Sequence, residues 1–175
     1  SLRPAVFFDR DGVVNDPGEN YYVPRWEDFH FHEGILPALA AAKAAGRATV
    51  LITSQRGVGK GKMSHQALDD IHARMQAELA AHGLAFDAIH AYTGLAADGP
   101  GAKPDPYFVH CAADSLGLDL ASSWMIGDAD RDIAMGRRAG LRTIRVHGEK
   151  PIGVPADHTV NSVGDLAGLL ARVLA

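Results

Sequence analysis

Residues 5–15, Ala5-Val6-Phe7-Phe8-Asp9-Arg10-Asp11-Gly12-Val13-Val14-Asn15, constrain this chain more than any other stretch. Four apolar residues run straight into two carboxylates at i and i+2 and then a glycine, as when a buried parallel strand ends in a loop. In an open α/β sheet the C-terminal ends of the strands form the edge where ligands bind. Two acids on that edge can hold a metal ion or divide nucleophilic and acid–base work. Taken alone, Asp-x-Asp-Gly also suits an ordinary turn, because both residue types favour turns. The remaining segments decide between the two.

Strand and helix patterns alternate after residue 34. A helix over Ile35–Ala45 closes at Gly46, and Ala48–Thr53 reads as a second buried strand, with Ser54, Gln55 and Arg56 just beyond its end. Ser64 is a helix N-cap, and Leu68, Ile71, Met75 and Leu79 form one apolar stripe that runs toward His82. Phe86–Tyr92 is a third strand and Tyr107–Leu116 a helix. Ser123–Asp128 repeats the opening pattern, an apolar strand that delivers an acid at its end. A short helix over Ile133–Arg138, a fifth strand over Arg142–Val146 and a last helix over Val163–Leu174 follow. The pattern predicts one α/β domain over residues 1–175, a five-stranded parallel sheet flanked by helices.

The loops between these elements carry their own signals. Residues 16–33 mix turn formers with Tyr21, Tyr22, Trp26 and Phe29, so they form either a flap beside the carboxylates or a loop pinned by its own aromatics. Gly57–Lys62 is glycine-rich, but no phosphate-loop register fits it. Lys103 precedes Pro104 and Pro106, which makes it a cation on restrained backbone. Gly148–Ala156 reads as a loop, and residues 1–4 as a disordered lead-in.

Composition excludes several classes. A net charge of −4 over 175 residues does not favour a nucleic-acid backbone as partner. The single cysteine, Cys111, precludes an intrachain disulfide framework and is expected to be a small buried residue. No leader pattern or spanning stretch is present, so a cytoplasmic protein without a membrane partner is expected.

The predicted sheet therefore gathers Asp9, Asp11, Thr53, Lys103 and Asp128 on one edge. Carboxylates this close repel unless a divalent cation compensates them, and hard oxygen ligands suit Mg²⁺. Thr53 and Lys103 offer a hydroxyl donor and a cation to phosphate oxygens. Together these groups compose a phosphoryl-transfer site.

In this order the residues resemble the four motifs of the haloacid dehalogenase (HAD) superfamily of aspartate-nucleophile phosphatases: Asp9-Arg10-Asp11-Gly12, Thr53, Lys103, and Gly127-Asp128 through Asp132. The likeness covers residues 5–147. Asp9 through Asn15, Thr53-Ser54-Gln55-Arg56-Gly57 with Gly61, and Lys103-Pro104 are similar to the heptose-bisphosphate and histidinol-phosphate phosphatase branch, whose members lack a large cap. The resemblance implies a HAD-like, Rossmann-like fold in which Asp9 is nucleophile and Asp11 general acid and base. It implies Mg²⁺ held by Asp9, Asp128 and the Asp11 carbonyl, and phosphate bound by Thr53, Ser54 and Lys103. Asp132 then orients Lys103 or a metal-bound water, or else forms an ion pair on its helix face. Gln55 and Arg56 are the expected substrate contacts.

The chain also departs from that branch. Thr93–Ala102 lacks the cysteines and histidine of the zinc loop found in many relatives, so zinc is not expected. Ala102 replaces an arginine, and Ser54 and Arg56 stand where relatives tend to carry Asn and Ser. The expected activity is Mg²⁺-dependent hydrolysis of a small phosphorylated metabolite, a sugar phosphate such as heptose 1,7-bisphosphate, by a monomer. Histidinol phosphate, a polynucleotide end, and a phosphorylatable receiver-like signalling domain remain as alternatives.

Overall fold

The computed structural model describes residues 1–175. Six parallel strands, β1 (Ala5–Phe8), β2 (Ala48–Ser54), β3 (Ala88–Tyr92), β4 (Trp124–Gly127), β5 (Arg142–Val146) and β6 (His158–Val160), form one sheet in the order β3-β2-β1-β4-β5-β6. The helices are α1 (Ile35–Ala44), α2 (Arg56–Gly59), α3 (His65–Ala80), α4 (Tyr107–Leu116), α5 (Asp130–Arg138) and α6 (Leu166–Val173). No helix is long and apolar enough to cross a membrane.

Alternation along β1 explains its uniformly apolar sequence. Val6 and Phe8 enter a core shared with α1, α3 and α6, while Ala5 and Phe7 enter a second core shared with α4 and α5. Both faces of the strand are thus buried, which a parallel sheet between helix layers requires. Phe8 pairs with Leu51 of β2 on one side and Ile126 of β4 on the other, so three strand ends sit side by side. The chain order reverses between β1 and β4, and in open α/β sheets such a switch point opens a crevice for ligand.

The sheet has six strands, where the pattern predicted five. Three residues are too few for a legible period, and His158–Val160 is a strand only because β5 offers it an edge. Its start is clamped by Asp157, whose Oδ2 accepts from the Thr143 amide at 2.8 Å, while the Asp157 amide donates to Thr143 Oγ1 at 3.1 Å. The opposite edge uses the same device, with Asp87 Oδ2 accepting from the Thr49 amide at 2.8 Å. Within residues 1–4, expected to be disordered, Arg3 is tied down, because its amide donates to Gly117 O and its carbonyl accepts from the Asp119 amide. A short helix, α2, that the pattern did not predict follows β2; α5 begins at Asp130, the last helix opens with a 3₁₀ turn over Val163–Asp165, and Cys111 is half-buried, not fully buried as expected.

Asp157→Ala removes the acceptor for a buried strand-end amide, so about 1–3 kcal/mol of stability is lost. Hydrogen exchange at Thr159 and Val160 accelerates first. Unchanged protection there would show that β6 is held by other contacts.

Candidate active site

Asp9 is the first residue beyond β1, and its amide donates to Ile126 O at 3.0 Å, which fixes it against β4. Asp128 follows β4 directly. The tight approach between the two strand ends depends on Gly12, at φ +92°, because a Cβ there would lie 2.0 Å from Asp128 Oδ2. Gly127 has the same role one residue earlier, where a Cβ would lie 2.1 Å from that of Asp132.

Lys103 reaches this edge from the loop before α4. Its ammonium lies 2.7 Å from Asp9 Oδ1 and 2.7 Å from Asp132 Oδ1, and its side chain is 1% exposed. The other oxygen of Asp132 accepts from the Ala129 amide at 3.1 Å, so this acid both caps α5 and orients Lys103. Burial acting alone would lower the Lys103 pKa, but the Asp132 and Asp9 carboxylates raise it above its ordinary value. Burial holds the Asp9 carboxyl well above its usual range; Asp132 and Asp128 raise it further, and Lys103 opposes them.

One oxygen each of Asp9, Asp128 and Asp132 lies within 4.8 Å of the other two. Three acids thus face one ammonium. Asp128 Oδ1 is buried without a hydrogen bond, and Lys150 Nζ stands 3.6 Å away. Excess negative charge, an unpartnered buried oxygen and an all-oxygen donor set fit a hard divalent cation.

Asp11 is held differently. Its Oδ1 accepts from Arg10 Nη2 at 2.8 Å and Asn15 Nδ2 at 3.0 Å, and its Oδ2 from Gln55 Nε2 at 3.0 Å. With its carboxylate so engaged, Asp11 has its main-chain carbonyl to offer a metal. Thr53, 1% exposed at the end of β2, accepts from Gln55 Nε2 at 2.8 Å, which leaves its own hydroxyl hydrogen free to donate. Gln55, expected to contact substrate, is 7% exposed, lines the adjoining cavity and bridges Asp11 to Thr53, so it positions both. Ser54 and Arg56 line a cavity beside them, and Arg56 Nη2 donates to Leu95 O at 2.8 Å.

Several residues of this edge escape a sequence reading. Arg10 is fully buried, with its guanidinium 5.6 Å from the Phe29 ring centroid and Nη1 3.1 Å from His72 Nε2. The signal was present, since His72 falls four residues after Leu68 and three before Met75, on the apolar stripe of α3. Burial, then the Arg10 charge, lowers the His72 pKa to about 3, and the neutral ring accepts from Arg10. Residues 16–33 satisfy both earlier readings: Trp26 stacks on Phe29, while the Tyr21 hydroxyl donates to Asp128 Oδ2 at 3.1 Å. Lys150 lies 3.9 Å from the centroid of the Tyr21 ring. Its loop is organised by Arg145, fully buried, which bonds Asp130 Oδ1 at 2.8 Å and the carbonyls of Lys150 and Pro151.

The chain is similar to known proteins over most of its length. A family model described as HAD-hydrolase-like matches residues 101–166. The D-glycero-beta-D-manno-heptose-1,7-bisphosphate 7-phosphatase of Vibrio cholerae is 36% identical, covering 98% of each chain. The D-glycero-alpha-D-manno-heptose-1,7-bisphosphate 7-phosphatase of Burkholderia mallei is 34% identical over 79% of this chain and 77% of its own. Among solved structures, a D,D-heptose 1,7-bisphosphate phosphatase from B. bronchiseptica, complexed with magnesium and phosphate, superposes with a TM-score of 0.82 at 27% identity, covering 97% of this chain and 98% of that one. A putative HAD-like phosphatase from Mesorhizobium loti gives 0.84 at 29% identity, covering 98% and 88%.

Unfolded, the His72 ring takes a proton near pH 6.5; folded, it does so only near 3. Its contribution to stability is therefore complete above about pH 6.5 and is lost as pH falls toward 3, with a slope of up to ~1.4 kcal/mol per pH unit. His72→Gln, which keeps an acceptor for Arg10, flattens that slope in denaturant titrations run across this range. An unchanged slope would remove His72 as its source.

Proposed function

Because the chain belongs to the HAD-like phosphatases, within the family of the heptose 1,7-bisphosphate phosphatases, we propose that it hydrolyses a small sugar phosphomonoester through an aspartyl-phosphate on Asp9. The observation that carries this reading is the convergence of Asp9, Asp128, Asp132 and Lys103, drawn from three separate stretches of chain, on one buried cluster. Heptose 1,7-bisphosphate leads the candidate substrates, since it is named for relatives of both anomeric preferences.

Asp9 attacks phosphorus with the carboxylate oxygen that Lys103 does not hold, and the ester P–O bond to the sugar breaks. Asp11 gives a proton to the departing sugar oxygen, then takes one from the water that cleaves the acyl phosphate and regenerates Asp9. Arg10, Asn15 and Gln55 hold the Asp11 carboxylate in place for both transfers. Thr53 donates to a phosphoryl oxygen, with Ser54 beside it, and the Lys103 charge stabilises the transferring group while opposing the burial and carboxylate repulsion that raise the Asp9 pKa. Asp132 keeps Lys103 aimed at Asp9. Mg²⁺ would be held by Asp9, Asp128 and the Asp11 carbonyl, where its charge offsets the repulsion between the carboxylates and an anionic substrate.

Asp9→Asn abolishes phosphatase turnover while circular dichroism stays native, and near-normal turnover would end the nucleophile assignment. Asp11→Asn lowers kcat by about a hundred- to ten-thousand-fold. A screen of heptose bisphosphates, hexose phosphates, histidinol phosphate and phosphorylated oligonucleotide ends ranks the substrates by kcat/KM. Chelation removes activity in the wild-type protein, and Mg²⁺ restores it better than the larger Ca²⁺. Full activity in excess chelator would show that the acidic cluster works without a cation.

A further inference from the structure

The two oxygens of Asp11 are unequally occupied. Oδ1 accepts from Arg10 Nε at 3.1 Å, Arg10 Nη2 at 2.8 Å and Asn15 Nδ2 at 3.0 Å. Three N–H groups use up its lone pairs and leave no room for a proton. Oδ2 accepts only from Gln55 Nε2, at 3.0 Å, and the same amide bonds Thr53 Oγ1 at 2.8 Å. The oxygen with spare capacity is therefore the one bridged to Thr53.

This asymmetry depends on where the Arg10 guanidinium is held. Arg10 and Asp11 are sequence neighbours that share one side of the chain because of a tight turn, in which Arg10 O accepts from the amides of Val13, Val14 and Asn15. The guanidinium is fully buried, and its far edge is fixed from two directions. Nη1 donates to His72 Nε2 at 3.1 Å, and the Phe29 ring centroid lies 5.6 Å from the guanidinium carbon. Phe29 is itself held by stacking on Trp26 and by an edge contact with Phe31. His72 is buried on α3 between Leu68 and Met75, so its ring is confined by the core. Only the planar fork of an arginine can meet a ring nitrogen on one edge and a carboxylate oxygen on the other.

We propose that His72, 62 positions along the chain from Arg10, is a positioning residue for the acid–base step: by holding the Arg10 fork it pins Asp11 Oδ1 and leaves Oδ2 to carry the proton. This rests on the phosphatase reading, which supplies the reaction. A histidine that merely satisfied a buried arginine would change stability and leave turnover alone.

His72→Leu removes the acceptor, and His72→Gln restores one. With a sugar phosphate, His72→Leu is expected to lower kcat on the order of ten- to a hundredfold with KM nearly unchanged, and His72→Gln to recover most of the loss. With p-nitrophenyl phosphate, the bond from phosphorus to the phenolic oxygen breaks as Asp9 is phosphorylated, and nitrophenolate leaves as a stable anion without a proton. Rapid mixing of His72→Leu with this ester therefore gives a nitrophenolate burst at the wild-type rate. The steady state that follows is slow, since water still needs a base at Asp11 to cleave the acyl phosphate. Added to Asp11→Asn, His72→Leu causes no further loss, because both act on one group. His72→Met is put through the same assays if His72→Leu does not fold. Wild-type kcat in these variants would overturn the proposal, as would a burst slowed as much as the steady state, or losses that multiply in the Asp11→Asn background. No turnover by the wild-type protein would sink the phosphatase reading as well, whereas wild-type turnover indifferent to His72 would sink this proposal alone.

Discussion

A buried ammonium facing three carboxylates is the interaction on which the rest of this structure depends. Lys103 neutralises part of the charge of Asp9 and Asp132, and Asp128 stands beside them with an oxygen that no hydrogen bond satisfies and that Lys150 approaches only to 3.6 Å. Desolvating such groups costs several kcal/mol per ion, and mutual attraction repays it only where geometry and hydrogen bonds are good. The cluster is therefore poor material for stability and good material for chemistry. It stores uncompensated negative charge at a place where a divalent cation can bring the balance closer to neutral.

The scaffold exists to hold those charges at close range. β1 lies between β2 and β4 with both faces buried, so the positions of Asp9, Thr53 and Asp128 follow from backbone pairing before any side chain acts. Gly12 and Gly127 remove the Cβ atoms that would push Asp128 and Asp132 aside. At the two sheet margins Asp87 and Asp157 each grip the amide of the second residue of the neighbouring strand, Thr49 and Thr143, which helps to fix the register from the edges inward.

Around this rigid floor the loops set the shape and polarity of the entrance. Arg145, buried against Asp130, bonds the loop that carries Lys150, and Lys150 in turn stands over Tyr21. Tyr21 bonds Asp128 and divides an acidic cleft from a basic cavity. Through Tyr21 the flap thus touches both Asp128 at the strand ends and Lys150 of the loop after β5. Its aromatics are structural at Trp26 and Phe29, and they face the site at Tyr21 and Tyr22.

Much of the fold and the candidate site was legible because strong local patterns carried it. Apolar runs ending in acids marked β1 and β4, and the apolar stripe marked α3, since burial on both strand faces or on one helix face imposes a composition. Residue order alone was enough to align Asp9, Thr53, Lys103 and Asp128 along one edge. What local patterns could not carry was pairing at a distance. A three-residue strand has no period, so β6 emerged only with a neighbouring edge to bond. The task of Gln55, bridging Asp11 to Thr53, depends on where its amide points. Arg10 and His72 meet across 62 positions of chain, and the acidic and basic sides of Tyr21 arise from loops that share no motif. The sequence by itself determined which elements form and which acids end them, because backbone and burial preferences act locally. Tertiary structure decided which of those groups face one another, because Coulomb and hydrogen-bond energies depend on separations that only folding sets.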